Sequence, residues 1–181
     1  MRHLFGGLVL ALSACTISPS IGLESDNEDT TARTQIRVEN GNPTIKAIQY
    51  INFTERTHRQ ELKELTGVDP VRTEWCAAFV NAVLEESQIP NNDGHAYPLT
   101  ARAFLDWGQK ISKQDVKPGD IVVFPRGNHS WQGHVGFYLK TQKINGVEYY
   151  LILGGNQRNK VSIVPYRASR VLGIRRSLLD I

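Results

Sequence analysis

The segment Thr73–Asn81 constrains the fold of this chain more than any other stretch. Its sequence, Thr-Glu-Trp-Cys-Ala-Ala-Phe-Val-Asn, predicts a loop that turns into a buried helix, with Cys76 in the first turn. Thr73 is a suitable cap, because its hydroxyl can accept a hydrogen bond from an otherwise unpaired backbone N–H. The apolar residues that follow recur at helical spacing on one face: Phe79, Val80, Val83 and Leu84. We expect a helix that depends on burial for its stability.

The same segment places a thiol where the positive end of the helix dipole acts on it. This effect lowers the pKa of a thiol below its free value of about 8.5, so that more thiolate exists at neutral pH. Thiolate is the nucleophile in covalent catalysis, and Cys76 is therefore a candidate catalytic residue. The alternative is a small buried residue without chemistry, which is the ordinary role of a free cysteine. The rest of the chain favours the catalytic interpretation.

Length, charge and hydropathy narrow the classes of protein to which the chain can belong. Its 181 residues suffice for one domain with a substantial core. The formal net charge of +3 suits an anionic wall polymer or a membrane surface, but it is too small to indicate a nucleic-acid partner. No apolar stretch reaches the length of about 18 residues that a transmembrane helix needs. We expect a monomer that binds no nucleic acid.

Residues 1–14 have the features of an export signal: a short polar start, an apolar core too short to cross a bilayer, and small residues at the end. The sequence Leu12-Ser13-Ala14-Cys15 resembles the bacterial lipobox. That resemblance implies cleavage before Cys15 and acylation of this residue with chains such as palmitate. An ordinary secretory signal with a chance cysteine is the alternative. Because acylation needs a free thiol, we expect no disulfide with Cys76.

Residues 15–41 are predicted to be a disordered tether, since they are polar and lack periodicity. Residues 42–181 form the predicted folded domain. Thr16, directly after the predicted lipidated cysteine, is not an aspartate. By resemblance to lipoprotein sorting in Gram-negative bacteria, this implies the outer membrane, facing the periplasm, if the host is Gram-negative. We therefore expect the protein in the cell envelope, held to a membrane by its lipid.

Within the domain, helical patterns come first and strand patterns follow, which predicts an α+β fold. Asn42-Pro43 marks the start of the first helix. Asn145-Gly146 is a strong hairpin signal. The predicted strands are Ile121–Phe124, His134–Leu139, Val147–Leu153, Lys160–Val164 and Val171–Ile174. Because these strands are close in sequence, we expect an antiparallel sheet.

His134 begins a strand whose alternate residues Val135 and Phe137 are apolar, so its imidazole lies on the opposite face of the predicted sheet. Imidazole transfers protons near neutral pH, and a third group must fix the orientation of its ring. An ideal turn at Asn145-Gly146 would place Gln157 opposite His134. A bulge at Gly154-Gly155 would place Asn156 there instead. The register alone leaves both amides open.

Four segments together carry a family resemblance. They are Trp75–Asn81, Gly119–Phe124, Gly133–Tyr138 and Gly154–Gln157, the last with the sequence Gly-Gly-Asn-Gln. Their order and residue pattern resemble the NlpC/P60 and CHAP superfamily of papain-like cell-wall peptidases, in a compact bacterial branch. The resemblance implies that the nucleophile helix packs on an antiparallel sheet of five to six strands.

The resemblance also implies an activity, a cysteine hydrolase acting as an endopeptidase or amidase on peptidoglycan stem peptides without a metal or a cofactor. Cys76 would be the nucleophile, His134 the base and then the acid, and Asn156 the orienting group. The candidates for substrate binding are Trp75, Trp131 and Gln157.

One position departs from the family pattern. An acid often stands two residues before the asparagine in CHAP-like sequences, whereas this chain has Gly154. If that acid matters, the imidazolium is less well stabilised. A peptidoglycan-binding lipoprotein that uses the same cleft without cutting is therefore the alternative to an enzyme.

Overall fold

Helices precede strands along the chain, and the predicted α+β class is confirmed. The computed structural model describes residues 41–179. The helices are α1 (Pro43–Ile48), α2 (Arg59–Thr66) and α3 (Cys76–Glu86), with 3₁₀ turns at Ala101–Leu105 and Ala168–Arg170. The strands are β1 (Gln109–Lys110), β2 (Ile121–Pro125), β3 (Gly133–Ile144), β4 (Val147–Gly154), β5 (Ser162–Arg167) and β6 (Gly173–Arg176).

The strands form one antiparallel sheet of six strands in the order β1-β6-β2-β3-β4-β5. All five predicted strands are present, although β3 continues to Ile144 as an exposed ribbon with β4. The prediction missed β1, which consists of two exposed residues and so carries no hydrophobic pattern.

Helix α3 packs on one face of this sheet. Val123, Val135, Phe137 and Leu153 point toward it, and Val122, Phe124, Tyr138 and Ile152 belong to the core of the opposite face. Every residue of α3 from Cys76 to Leu84 is buried. The prediction of a single apolar face was therefore wrong, because α1 and α2 cover the sides of the helix that the sheet leaves free.

The two predicted helix starts behave differently. Asn42 caps α1, since its side-chain oxygen accepts the backbone N–H of Thr44 at 3.0 Å. Thr73 does not cap α3, because the residue at the cap position is Trp75, which makes no side-chain capping bond. The first backbone N–H groups of α3 are thus left without a side-chain cap, next to the thiol.

Asp120 fixes the entry to β2. Its buried carboxylate accepts Nε and Nη2 of Arg176 on β6, at 2.7 and 2.8 Å, and the backbone N–H of Lys117 at 2.8 Å. This bidentate pair joins the turn before β2 to the neighbouring strand. Asp120 therefore has a structural role in this turn.

The β3–β4 hairpin sets the register at the far end of both strands. Asn145 and Gly146 take positive φ angles of 50° and 78°, as a tight primed turn requires. The ladder shifts by one residue between Tyr138 and Lys140, so the bulge lies within β3 and not at Gly154-Gly155, where the sequence would permit one.

Residues 1–40, with the predicted signal peptide, Cys15 and most of the predicted tether, lie outside the described residues. In the part of the chain that the structure describes, no helix has the length and apolar character to cross a membrane.

Candidate active site

Cys76 is the first residue of α3 and is 4% exposed. Burial raises the pKa of its thiol, since the charged form loses hydration. The backbone N–H of Val135, the nearby guanidinium of Arg126 and the backbone N–H of Ala77 act in the opposite direction but do not prevail. The expectation of a lowered thiol pKa was therefore wrong, because burial outweighs the helix dipole.

His134 lies near the start of β3 and is also buried. Its ring stacks on Tyr166 of β5, with centroids 5.2 Å apart and planes 19° from parallel. Tyr166 in turn stacks on Phe124 at 4.7 Å. Burial, aided by the positive charge of Arg126, lowers the pKa of His134 to about 4. The imidazole is therefore neutral at physiological pH.

Gln157 determines which nitrogen of His134 carries the proton. Its amide nitrogen donates to the backbone carbonyls of Ile152 and Gly154, both at 3.2 Å, and of Ser162. The amide oxygen must therefore face His134, where it lies 3.2 Å from Nε2. An amide oxygen only accepts, so Nε2 holds the hydrogen and Nδ1 keeps a free lone pair. Nδ1 is buried and has no hydrogen-bond partner within residues 41–179.

Asn156 makes no hydrogen bond to His134. Its side-chain nitrogen donates to Oε2 of Glu74 at 2.6 Å instead. The bulge in β3 shifts the register so that position 156 would lie opposite His134 if β4 continued. However, β4 ends at Gly154, and Asn156 takes a left-handed φ of 54°. The assignment of the orienting role to Asn156 is therefore corrected to Gln157.

The structure shows one point of proximity between Cys76 and the strand that carries His134. The sulfur is close to the backbone N–H of Val135, the residue after His134. No hydrogen bond joins the thiol to the imidazole, since Nδ1 is unpartnered among the described residues. Burial raises the pKa of the thiol and lowers the pKa of the imidazole, so both groups favour their neutral forms.

Two of the predicted substrate-binding residues cannot wall a cleft. Trp75 is fully buried, and its ring packs edge-on against Phe79 at 6.3 Å. Gln157 is buried too, and its amide is already hydrogen-bonded to His134 and to backbone carbonyls. Trp131, in contrast, is 63% exposed and lies parallel to His129 on the loop between β2 and β3. Of the three candidates, the fold leaves only Trp131 open to a ligand.

Gly154 occupies the position of the missing acid. A Cβ built there would lie 3.5 Å from Nε2 of His134 and 3.5 Å from the amide carbon of Gln157. A side chain at this position would therefore compete with Gln157 for the imidazole. The amide of Gln157 takes the place that a carboxylate at position 154 would fill.

Two residues at the site were missed by the sequence analysis. Tyr166 lies on β5, whose residues alternate in exposure. The strand sequence Ser-Ile-Val-Pro-Tyr-Arg could have suggested that alternation, but nothing in it indicates that Tyr166 covers a histidine. Arg126 follows the last residue of β2, and its positive charge lowers the pKa of both Cys76 and His134. Its position depends on the path of the loop, for which the sequence holds no signal.

Among the described side chains, no group of three His, Cys, Asp or Glu residues could hold a metal.

Comparison with known proteins adds a family and a fold. Residues 68–156 match the family model of the CHAP domain. The chain is similar to the solved structure of a lipoprotein-like protein of the NLP/P60 family from Staphylococcus aureus subsp. aureus Mu50. The two share 18% sequence identity and a TM-score of 0.52, over 83% of this chain and 45% of that chain. It is also similar to an NlpC/P60 family protein from Bacillus cereus, with 18% identity and a TM-score of 0.40 over 57% of this chain and 32% of that one.

The chain thus spans less than half the length of either solved structure. No curated protein sequence matches it. The staphylococcal structure supports the fold, with few helices packed on an antiparallel sheet.

Proposed function

We propose that the chain is a member of the NlpC/P60–CHAP superfamily of peptidoglycan hydrolases, and that it is a cysteine peptidase or amidase that hydrolyses amide bonds in stem peptides. The observation that carries this proposal is the tautomer of His134. Gln157 keeps the hydrogen on Nε2 and leaves the lone pair of Nδ1 free, on the residue before Val135, whose backbone N–H is close to the thiol of Cys76. A neutral imidazole with a free lone pair is a general base.

The proposed reaction starts from the neutral pair. Cys76 attacks the carbonyl carbon of the peptide while Nδ1 of His134 takes the thiol proton, and a tetrahedral oxyanion forms. The oxyanion accepts a hydrogen bond from the backbone N–H of Cys76 at the uncapped start of α3. His134 then gives its proton to the leaving amine, which leaves a thioester on Cys76. Water, deprotonated by His134, attacks the thioester and releases the acid.

Hydrolysis of purified peptidoglycan tests this proposal. The released fragments are separated by chromatography and identified by mass for the wild-type domain and for Cys76→Ala. We expect fragments with new amino and carboxyl termini from the wild type only. Identical fragment profiles from both proteins would refute a cysteine hydrolase.

A peptidoglycan-binding lipoprotein is the second candidate function. It is favoured by the raised pKa of Cys76, by the missing thiol–imidazole hydrogen bond and by Gly154 in the place of an acid. This candidate predicts that the protein sediments with peptidoglycan, that Cys76→Ala sediments equally, and that neither releases fragments.

The location of the protein is part of the same proposal. We propose that Cys15 is acylated and holds the domain at the cell envelope, at the outer membrane where the host has one, so that a peptidoglycan peptide is within reach. Metabolic labelling with palmitate tests this, because wild type should incorporate the label and Cys15→Ala should not. Equal labelling of the two would refute the anchor.

A further inference from the structure

A cavity of about 450 Å³ lies between the loop that follows α3 and the loop between β2 and β3. Its volume is within the range of roughly 300 to 1,000 Å³ that is typical of ligand pockets. Two aromatic rings on its walls, those of Tyr97 and Trp131, are 70% and 63% exposed, and we therefore call the cavity the aromatic groove. The polar residues that line it are His95, Thr100, Arg102 and Asp106.

The wall that carries Tyr97 is joined to α3. Asn81, buried on that helix, donates its side-chain N–H to the backbone carbonyl of Pro98 at 3.2 Å and accepts the backbone N–H of Asn92 at 2.9 Å. The backbone N–H of Tyr97 itself donates to Nδ1 of His95 at 3.0 Å. The place of Tyr97 on this wall is therefore set before any ligand arrives, which lowers the entropy cost of binding.

The opposite wall adjoins the strand that carries His134. Nε of Arg102 donates to the backbone carbonyl of Gln132 at 2.7 Å, and Gln132 directly follows Trp131. The backbone of Gly133 packs on Arg102 as well, since a Cβ at this glycine would lie 3.1 Å from Cγ of that arginine. A ligand in the aromatic groove would therefore be held beside the residues that directly precede His134 in the chain.

The lining combines exposed rings with polar groups of both charge signs. Arg102 and Asp106 contribute one charge each, and Nε2 of His95 lies 3.7 Å from Oδ2 of Asp106. An anionic ligand, such as a stem peptide with its carboxylates, gains little net attraction from such a pair. A pyranose ring suits this lining, because its C–H faces pack on flat aromatic rings while its hydroxyl groups exchange hydrogen bonds with guanidinium, carboxylate and imidazole.

We propose that the aromatic groove binds an uncharged N-acetylhexosamine unit of a peptidoglycan glycan strand, with the sugar ring packed against Trp131 and Tyr97. This inference rests on the proposed function for the source of the sugar. Stem peptides are attached to the glycan strand, so a sugar unit held beside the start of β3 keeps its own peptide close to His134. The groove thus supplies affinity for the polymer from groups that take no part in bond cleavage.

Calorimetric titration of the wild-type protein with the β-1,4-linked tetramer of N-acetylglucosamine tests the groove, because this probe has a glycan backbone and no peptide. We expect saturable binding. Trp131→Ala and Tyr97→Ala should each weaken it about fivefold to tenfold, since each removes one packing ring. Trp131→Phe keeps a flat ring and should bind within about threefold of the wild type. Tyr149→Ala removes a partly exposed tyrosine on β4 that does not line the groove, and this matched control should keep the wild-type affinity.

The titration is independent of the hydrolysis assay, because the tetramer contains no stem peptide. Absence of binding by the wild type, or equal affinities of the wild type and Trp131→Ala, would overturn the groove even if the protein cuts peptidoglycan. Displacement of the tetramer by a free stem peptide would also overturn it, since the groove would then be a peptide site. Binding that depends on Trp131, in a protein that releases no fragments, would support the groove and remove the hydrolase.

Discussion

Replacement of Gln157 by alanine is the most direct test of the site geometry. The substitution leaves the buried Nε2–H of His134 without an acceptor and removes the donor to the carbonyls of Ile152, Gly154 and Ser162. An unsatisfied buried donor costs about 1 to 3 kcal/mol, and each lost hydrogen bond about 1 kcal/mol. We expect a loss of about 4 kcal/mol in the free energy of unfolding, equivalent to about 12 °C in Tm for a domain of this size.

Asn156→Ala is the matched control, because it removes the neighbouring amide. The side chain of Asn156 bonds the exposed carboxylate of Glu74, and its left-handed φ disfavours alanine. We expect a loss of about 2 kcal/mol from these two causes, half the loss for Gln157→Ala. Thermal unfolding followed by circular dichroism measures both variants at pH 7.

The same pair of variants separates the two amides in catalysis. Without Gln157 the imidazole is free to carry its hydrogen on Nδ1, and we expect kcat to fall about 100-fold, the range of a misdirected general base. Asn156→Ala should leave kcat closer to the wild-type value, because Asn156 makes no hydrogen bond to the imidazole. Equal losses of Tm, or a larger fall of kcat for Asn156→Ala than for Gln157→Ala, would refute the assignment of Gln157 as the positioning residue.

Three further predictions follow from burial and packing. Burial lowers the pKa of His134 from 6.5 to about 4, so the unfolded chain takes up the proton first as the pH falls. Between pH 6.5 and 4 the wild type should therefore lose up to about 3 kcal/mol of stability relative to His134→Gln. Parallel stability curves for the two proteins in denaturant titrations would contradict this. Asp120→Asn breaks a buried bidentate ion pair and should cost about 3 kcal/mol in urea unfolding, whereas a loss under about 1 kcal/mol would show that the pair does not hold the turn. A methyl group at Gly155 would lie 2.6 Å from the Trp75 ring, so Gly155→Ala should cost about 3 kcal/mol of stability. Gly94→Ala is the control, because a methyl group there lies in open space and should change stability by less than about 0.5 kcal/mol. Equal Tm values for the two variants would count against the packing described.

The parts of the fold that the sequence predicts are those encoded in adjacent residues. Asn42-Pro43 starts a helix and Asn145-Gly146 makes a hairpin because each pair favours one backbone conformation. The one-residue bulge after Tyr138 has no such signal. It is decided by how the two faces of β3 pack against different layers, which is a property of the folded chain.

The candidate site divides in the same way. Residue types were enough to select Cys76 and His134, because few side chains provide a nucleophile or a base near neutral pH. The choice between Asn156 and Gln157 depends on where β4 ends, and the thiol pKa depends on how deeply α3 is buried. Both are tertiary properties, and the local argument from the helix dipole therefore gave the wrong direction.

The depth at which Cys76 lies has a consequence for the chemical lifetime of the protein. Peroxides and disulfides react with exposed thiolates, and a thiol that is 4% exposed with a raised pKa provides very little of that form. In an oxidising compartment, an accessible low-pKa cysteine would advance toward sulfenic and sulfinic acids between encounters with substrate. A shielded, protonated thiol slows that loss. Under the proposed function, Cys76 becomes a nucleophile only when a substrate and the imidazole act on the sulfur together.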